Sequence, residues 1–285
     1  MTSSHGGWVA YRYDPSMAAA VIFILLFLAA TALHTYHVIR TRTWFFIPFV
    51  IGGIFETIGY IGRVVSSHQS PNWTLGPYII QSVLLLVAPA LFAASIYMEL
   101  GRIIVLVHGE KHSLVRVTWM TKIFVAGDML SFLMQSTGGG ILASSGSATN
   151  NTGNNIIIGG LFVQIIFFGF FLASAIFFQS RIGRHPTPQS QAGYIPWRKH
   201  MSALHGGSLL ILIRSVFRVV EYLQGQDGYL LTTEVFLYVF DALLMFCVMV
   251  VFAAVHPSEI NCLLGRGTVM TTKGGLAVEE FVVPV

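Results

Sequence analysis

The sequence predicts an all-α, polytopic membrane protein: a bundle of seven transmembrane helices with the N-terminus outside and the C-terminus in the cytosol. Three observations predict it. Apolar runs of about 20 residues or more recur seven times, each long enough for a hydrocarbon core of about 30 Å. Charged side chains make up 10% of the 285 residues and hydrophobic ones 54%, at a mean hydropathy of +0.71, where a soluble domain carries about 25% charged residues. The basic residues gather in alternate loops, which fixes an orientation.

The chain divides into an extracellular tail over 1–16, a seven-helix domain over 17–257 and a cytosolic tail over 258–285. Trp8, Tyr11 and Tyr13, just before the first span, suit the aromatic belt of a membrane interface. The first apolar run, Met17 to Ile39, is too long for a signal-peptide core and lacks a basic leader, so it reads as a retained span. The other six fall near 44–65, 78–105, 119–142, 156–179, 203–223 and 231–255.

Arg40, Arg42, Lys111, Arg116, Arg181, Arg184, Arg198, Lys199, Arg266 and Lys273 lie in the first, third and fifth loops and the C-terminal tail. The other side holds Arg12, with Arg63 close to a helix end, so the positive-inside rule places the basic side in the cytosol. Two sequons, at Asn72 and Asn150, fall on the side this makes external and are candidate glycosylation sites. The stretch Ser144–Asn155 reads as a flexible loop, and the tail after His256-Pro257 reads as disordered. Cys247 sits in a span and Cys262 in the tail, so no disulfide is expected. Gly52, Gly59 and Gly62 suit close helix packing, within the chain or between chains.

Ionisable residues inside the spans carry the functional signal, because each costs at least about 2.5–3.5 kcal/mol at the bilayer centre. Arg214, Arg218 and Glu221 share one face of the sixth span at i, i+4 and i+7. Glu234, Tyr238 and Asp241 form the same stripe on the seventh. Glu56 and Arg63 share a face of the second span, and Asp128 and Gln135 a face of the fourth. Gln81 in the third and Gln164 in the fifth lie at a similar level. The simplest packing points these stripes at one another. It gives a bundle with a polar outer interior and candidate pairs of Arg214 or Arg218 with Asp241, Glu234 or Glu56. The alternative is that such networks only fix helix register. An amphiphile with a polar head and long tail would match a polar pocket above an apolar one near Phe167, Phe168, Phe170 and Phe171; those phenylalanines equally suit lipid contact.

Motifs spread over residues 11–257 resemble the fungal RTA-like family, the lipid-translocating exporters. They are Tyr13-Asp-Pro-Ser16, Glu56-Thr-Ile-Gly-Tyr60-Ile-Gly-Arg63, Ala88-Pro-Ala90 followed by Tyr97, and Asp128 followed by Gln135-Ser-Thr-Gly-Gly-Gly140. Gly160-Leu-Phe-Val-Gln164, Arg214 to Glu221 with Gly225, Glu234 to Asp241 and His256-Pro257 continue the series. The resemblance implies a multi-pass protein of a plasma or endomembrane and export or flopping of sphingoid long-chain bases. It also implies resistance to toxic amphiphiles or, in one branch, porphyrin or haem handling. It carries no catalytic residue set.

The expected function is therefore translocation of amphipathic lipids, with membrane lipids as partners and no nucleic acid. Glu56, Asp128, Glu234 or Asp241 would hold a cationic amine, and Arg214 and Arg218 would suit a phosphate or carboxylate. No Walker motif supports ATP hydrolysis, no nucleophile with a companion base suggests an enzyme, and no cofactor is expected. A receptor is the first rival, but the third span ends Tyr97-Met-Glu99-Leu-Gly-Arg102 without an acid-Arg-Tyr run, and the seventh lacks Asn-Pro-x-x-Tyr and a Schiff-base lysine. A zinc or haem site built from His34, His37, His200, His205 and His256 is the second; interfacial headgroup contact is the plainer reading of those histidines.

Overall fold

The structure, a computed structural model, describes residues 13, 15–70, 73–144, 150–225, 228–271 and 277–279. Trp8, Tyr11, Asn72 and Lys273 lie outside them.

Seven helices are long and apolar enough to cross a membrane. α1 (Met17–Thr41) runs from one end of the bundle, the N face, to the other, the C face. α2 (Ile47–His68) returns, α3 (Leu75–Leu106) descends again, and α4 (Val117–Ser144) and α5 (Asn150–Arg184) repeat the pattern. A single turn, α6 (Pro188–Gln191), interrupts the next connection. α7 (Trp197–Leu223) is the sixth span. A short turn α8 (Tyr229–Thr232) leads to the seventh, built from α9 (Glu234–Leu237), a π-helical stretch (Tyr238–Leu243) and α10 (Leu244–Ala254).

Two expectations about irregular segments are corrected. α5 begins at Asn150, inside the stretch read as a loop. The chain after Pro257 is not a featureless tail: α11 (Ser258–Leu263) packs under the bundle with Ile260 and Cys262 buried, and β1 (Val269–Thr271) pairs antiparallel with β2 (Ala277–Glu279). That hairpin is a small addition to an otherwise helical fold.

Each helix sits where its residues dictate. The Ser16 hydroxyl caps α1 by accepting the Ala19 N–H at 3.4 Å. α1 buries Phe27, Thr31, His34 and Val38, one stripe at helical spacing, and turns Ile22, Leu25, Leu28 and Ile39 outward, as a lipid-facing helix does. Lipid supplies no hydrophobic drive between helices, so close approach matters. At Gly52 of α2 an added Cβ would lie 2.7 Å from the Phe92 ring, and at Gly62 it would lie 3.1 Å from the Pro77 carbonyl oxygen. These glycines therefore serve packing of α2 on α3 within the chain. Phe46, Phe49, Phe92 and Phe252 fill the half of the core nearer the C face, with the Phe46 and Phe49 rings stacked at 4.4 Å.

Candidate functional site

The structure brings the twelve candidate residues into the bundle at several separate places rather than into one chamber. Nearest the N face, Arg63 of α2 is fully buried. Its guanidinium donates from Nη2 to Glu234 Oε1 at 2.7 Å and to the Tyr13 hydroxyl at 2.8 Å, and from Nε to the Tyr238 hydroxyl at 3.0 Å. The two tyrosine rings lie within 5.4 and 5.3 Å of its carbon. Glu234 in turn accepts the Ser16 N–H at 2.8 and 3.0 Å. The pair thus staples the start of α1 to α2 and the seventh span.

Deeper in the bundle, Arg214 of α7 pairs with Asp241 and donates from Nη2 to the Leu85 carbonyl oxygen at 2.9 Å. Pro89, four residues after Leu85, has no N–H to offer that carbonyl. Arg214 therefore satisfies a backbone acceptor that the proline leaves open. Asp241 lies in the π-helical stretch, whose wider turn breaks the strict stripe expected for Glu234, Tyr238 and Asp241. The first two meet Arg63, while the third meets Arg214.

Glu56 of α2 lies in the field of both Asp241 and Arg214. Its carboxyl is buried, and its Oε1 has no hydrogen-bond partner among the described residues. The Tyr60 hydroxyl, one turn along α2, is likewise buried without a partner. One turn from Arg214, Arg218 Nη1 donates to Glu221 Oε2 at 2.7 Å and its guanidinium carbon lies 5.2 Å from the Tyr222 ring centroid. Arg218 thus pairs within its own helix rather than with another span.

The remaining candidates join helices. Asp128 Oδ2 accepts the Tyr97 hydroxyl at 2.9 Å between α4 and α3. Gln135 Nε2 donates to Ser131 Oγ at 2.7 Å and to Gln164 Oε1 at 3.2 Å, and the Ser131 hydroxyl reaches the Gly160 carbonyl at 2.7 Å, so all three bind α4 to α5. Gln81 is buried on α3 beside Gly62. Phe168 and Phe171 close around Tyr97 as packed core, whereas Phe170 faces outward.

At the C face lies a cluster that the sequence reading only half found. His200 of α7 stands between two carboxylates, with Nδ1 at 3.3 Å from Glu99 Oε1 and Nε2 at 3.0 Å from Glu259 Oε2. Both nitrogens act as donors only when the ring is protonated. An acid inside an apolar run is itself the signal that would have selected Glu99. His34, His37 and His256 crowd nearby, with the His37 and His256 rings 4.9 Å apart. Among the described residues, no group of three or more His, Cys, Asp or Glu side chains is placed to hold a metal ion.

These features define a polytopic seven-helix membrane protein whose interior holds ion pairs at several depths, with Glu56 and Asp128 as acids without a cation among the described residues. The RTA1-like family, described as "RTA1 like protein", matches residues 49–262, and the chain belongs to it. It is 39% identical to "Protoporphyrin uptake protein 1" of Saccharomyces cerevisiae over 89% of this chain and 93% of that one. It is 35% identical to "Protein RTA1" of the same yeast over 88% and 86%. "Sphingoid long-chain base transporter RSB1", also from Saccharomyces cerevisiae, is 27% identical over 90% and 74%. No solved structure matches.

Proposed function

We propose that this protein moves an amphipathic molecule with a cationic head, of the sphingoid long-chain base class, between the two leaflets of its membrane. The observation that carries the reading is the buried, unpartnered carboxyl oxygen of Glu56 beside the Arg214–Asp241 pair. Charge bookkeeping favours a cation there. Arg63 has Glu234, Arg214 has Asp241 and Arg218 has Glu221, which leaves Glu56 and Asp128 without a cation. Asp128 accepts the Tyr97 hydroxyl, whereas Glu56 Oε1 has no partner among the described residues. A substrate ammonium would give it a charge-assisted hydrogen bond. A proton would satisfy the same oxygen, so substrate and proton compete for one site, and no ATP-binding motif is needed. Pro89 and the π-helical stretch flank this site, and both are places where a span has already given up regular backbone bonds and bends at least cost.

The name of the relative at 27% identity agrees with this class, while the relative at 39% favours a second reading, a porphyrin whose carboxylates would meet Arg214 and Arg218. In either case the reading assigns no chemical reaction to the chain and gives it membrane lipids as its surroundings. It puts the C face in the cytosol, Asn72 and Asn150 outside, and the protein in a plasma or endomembrane.

Purified protein in liposomes decides between the two. A fluorescent sphingoid base should cross faster than in empty vesicles. Glu56→Gln should slow it about tenfold or more, the scale of a lost charge-assisted hydrogen bond, while the protein stays monodisperse. Protoporphyrin movement that survives Glu56→Gln and is lost in Arg218→Gln would favour the second reading. Movement of neither compound would sink both.

A further inference from the structure

A cleft of about 470 Å³ opens at the C face between α3, α4 and the chain that follows α11. Met98, Gly101, Val105, Val117 and Leu264 make most of its wall, and Arg102 and Arg266 are its charged members; no acid among the described residues lines it. The Arg102 guanidinium carbon lies 4.0 Å from the Phe45 ring centroid, and the side chain spends one donor on Asn261 Oδ1 at 2.7 Å. Arg266 is exposed and held from both sides by its backbone. Its N–H donates to the Asn261 carbonyl at 3.0 Å, and its own carbonyl accepts Asn261 Nδ2. Gly265 and Gly267, at φ 73° and 96°, set the turn that carries it. At Gly267 a Cβ would lie 2.4 Å from the Thr41 carbonyl oxygen, so the chain fits only without one.

Neither guanidinium meets a carboxylate among the described residues, although every other arginine in the bundle interior does. Two like charges facing one apolar cleft leave an anion-shaped deficit. The depth of the cleft says where the anion comes from. Trp119 on the first turn of α4 is exposed, with the Lys122 ammonium 5.5 Å from its ring centroid, the aromatic-and-cation pairing of a headgroup layer. Val105 and Leu114 are exposed at the same level.

We propose that this cleft binds the phosphate headgroup of an anionic membrane lipid, held by Arg102 and Arg266, with the lipid's chain against the apolar wall of α3 and α4. Guanidinium forks match phosphate oxygens in pairs, and the unpaired cations supply the charge. The bound lipid bridges a span to the tail and so fixes the docked tail to the membrane. The site is separate from the translocation site at Glu56 and stands or falls without it.

Native mass spectrometry of the full chain in neutral detergent tests it, with added phosphatidic acid or phosphatidylserine against phosphatidylcholine. The anionic lipids should bind saturably as one copy per chain. Arg102→Gln and Arg266→Gln should each weaken that binding about fivefold, the scale of one cation near a charged membrane surface. Arg198→Gln, which removes an exposed cation elsewhere on the C face, should leave it unchanged. Should Arg102→Gln fail to fold, the exposed Arg266 position still decides. Unaltered binding in Arg266→Gln, or equal weakening by Arg198→Gln, would overturn the proposal. Displacement of the lipid by an equal concentration of inorganic phosphate would mark a site for free anions and overturn the lipid assignment. Glu56→Gln should retain the headgroup, so the two sites fail independently.

Discussion

Arg63 is the bulkiest fully buried side chain among the described residues, and its position is tolerable only because of what surrounds it. A buried cation is costly, and breaking such a pair by removing one partner costs about 3–5 kcal/mol, since the other charge is left behind. Arg63→Ala should therefore lower the thermal midpoint sharply in detergent. Replacing both partners, Arg63→Met with Glu234→Leu, should recover most of the loss, because the uncompensated charge is then gone. A double variant as unstable as the single one would show that Tyr13, Tyr238 and Ser16 carry the staple without the ion pair. The sequence marked both residues as ionisable groups inside apolar runs. It did not mark them as a pair, since they stand 171 positions apart and only the packing of α1, α2 and the seventh span brings them together. Arg214 and Asp241 were legible as candidates because a mid-span guanidinium needs an acid at its own depth, and α7 and the seventh span are neighbours in the chain.

Two helices meet closely along the α4–α5 seam, where the glycine run of α4 has positions of opposite character. An added Cβ at Gly138 would lie 2.6 Å from the Gly153 carbonyl oxygen, a backbone atom that cannot turn aside, whereas at Gly139 nothing lies within 4 Å. Gly138→Ala should destabilise by about 1–3 kcal/mol, the usual cost of overpacking. Gly139→Ala should be neutral or stabilise by up to about 1 kcal/mol through helix propensity. Thermal unfolding of the two variants side by side checks this, and equal midpoints would mean that the seam is looser than the contact implies. Periodicity and length located all seven spans, because a bilayer imposes one length on every crossing. The π-helical stretch at Tyr238–Leu243 escaped, since its six residues Tyr-Val-Phe-Asp-Ala-Leu carry no local mark and the extra residue in the turn answers to Arg214 across the bundle. The early start of α5 escaped for a related reason. Its polar first turns read as a loop, but the Asn154 amide donates to the Tyr222 carbonyl at 3.3 Å and so holds that end of the helix against α7.

At the scale of the whole molecule, the segment after Pro257 closes the C face. Asn261 joins it to Arg102 of α3, Glu259 joins it to His200 of α7, and Thr268 donates from its N–H to the Thr41 carbonyl of α1 at 3.2 Å. Six polar and apolar residues are too short a run to show a helical period, so this order was not readable from the sequence. It exists only where three spans present partners. His256, beside that segment, contributes to stability with a definite dependence on pH. Burial first, then the charges of His34, His37 and His200, hold the His256 imidazole well below its ordinary value of 6.5. In the unfolded chain it titrates near that value. Below about pH 6.5 the unfolded chain takes up a proton that the folded one refuses. The contribution of His256 is therefore complete above about 6.5 and is lost as the pH falls. Glu259 acts with the same sign in a lower window. The hydrogen bond from His200, helped by Lys199 and opposed by burial, holds its carboxyl below the ordinary 4.5, so its contribution fades only as the medium becomes more acid than that. Between pH 7.5 and 5.5 His256 should thus pull the thermal midpoint down as the pH falls, against His200, both of whose nitrogens can donate to their carboxylates only in the protonated ring. His256→Asn should remove that pull, a change in slope of at most about 1.4 kcal/mol per pH unit, one proton's worth, reduced by whatever solvent reaches the half-buried ring. Every other titrating group is shared by the two proteins, so the difference between their slopes isolates this histidine. Parallel slopes would show that the folded protein accepts the proton at His256 as readily as the unfolded chain does, and that the closed C face does not resist acid in this way.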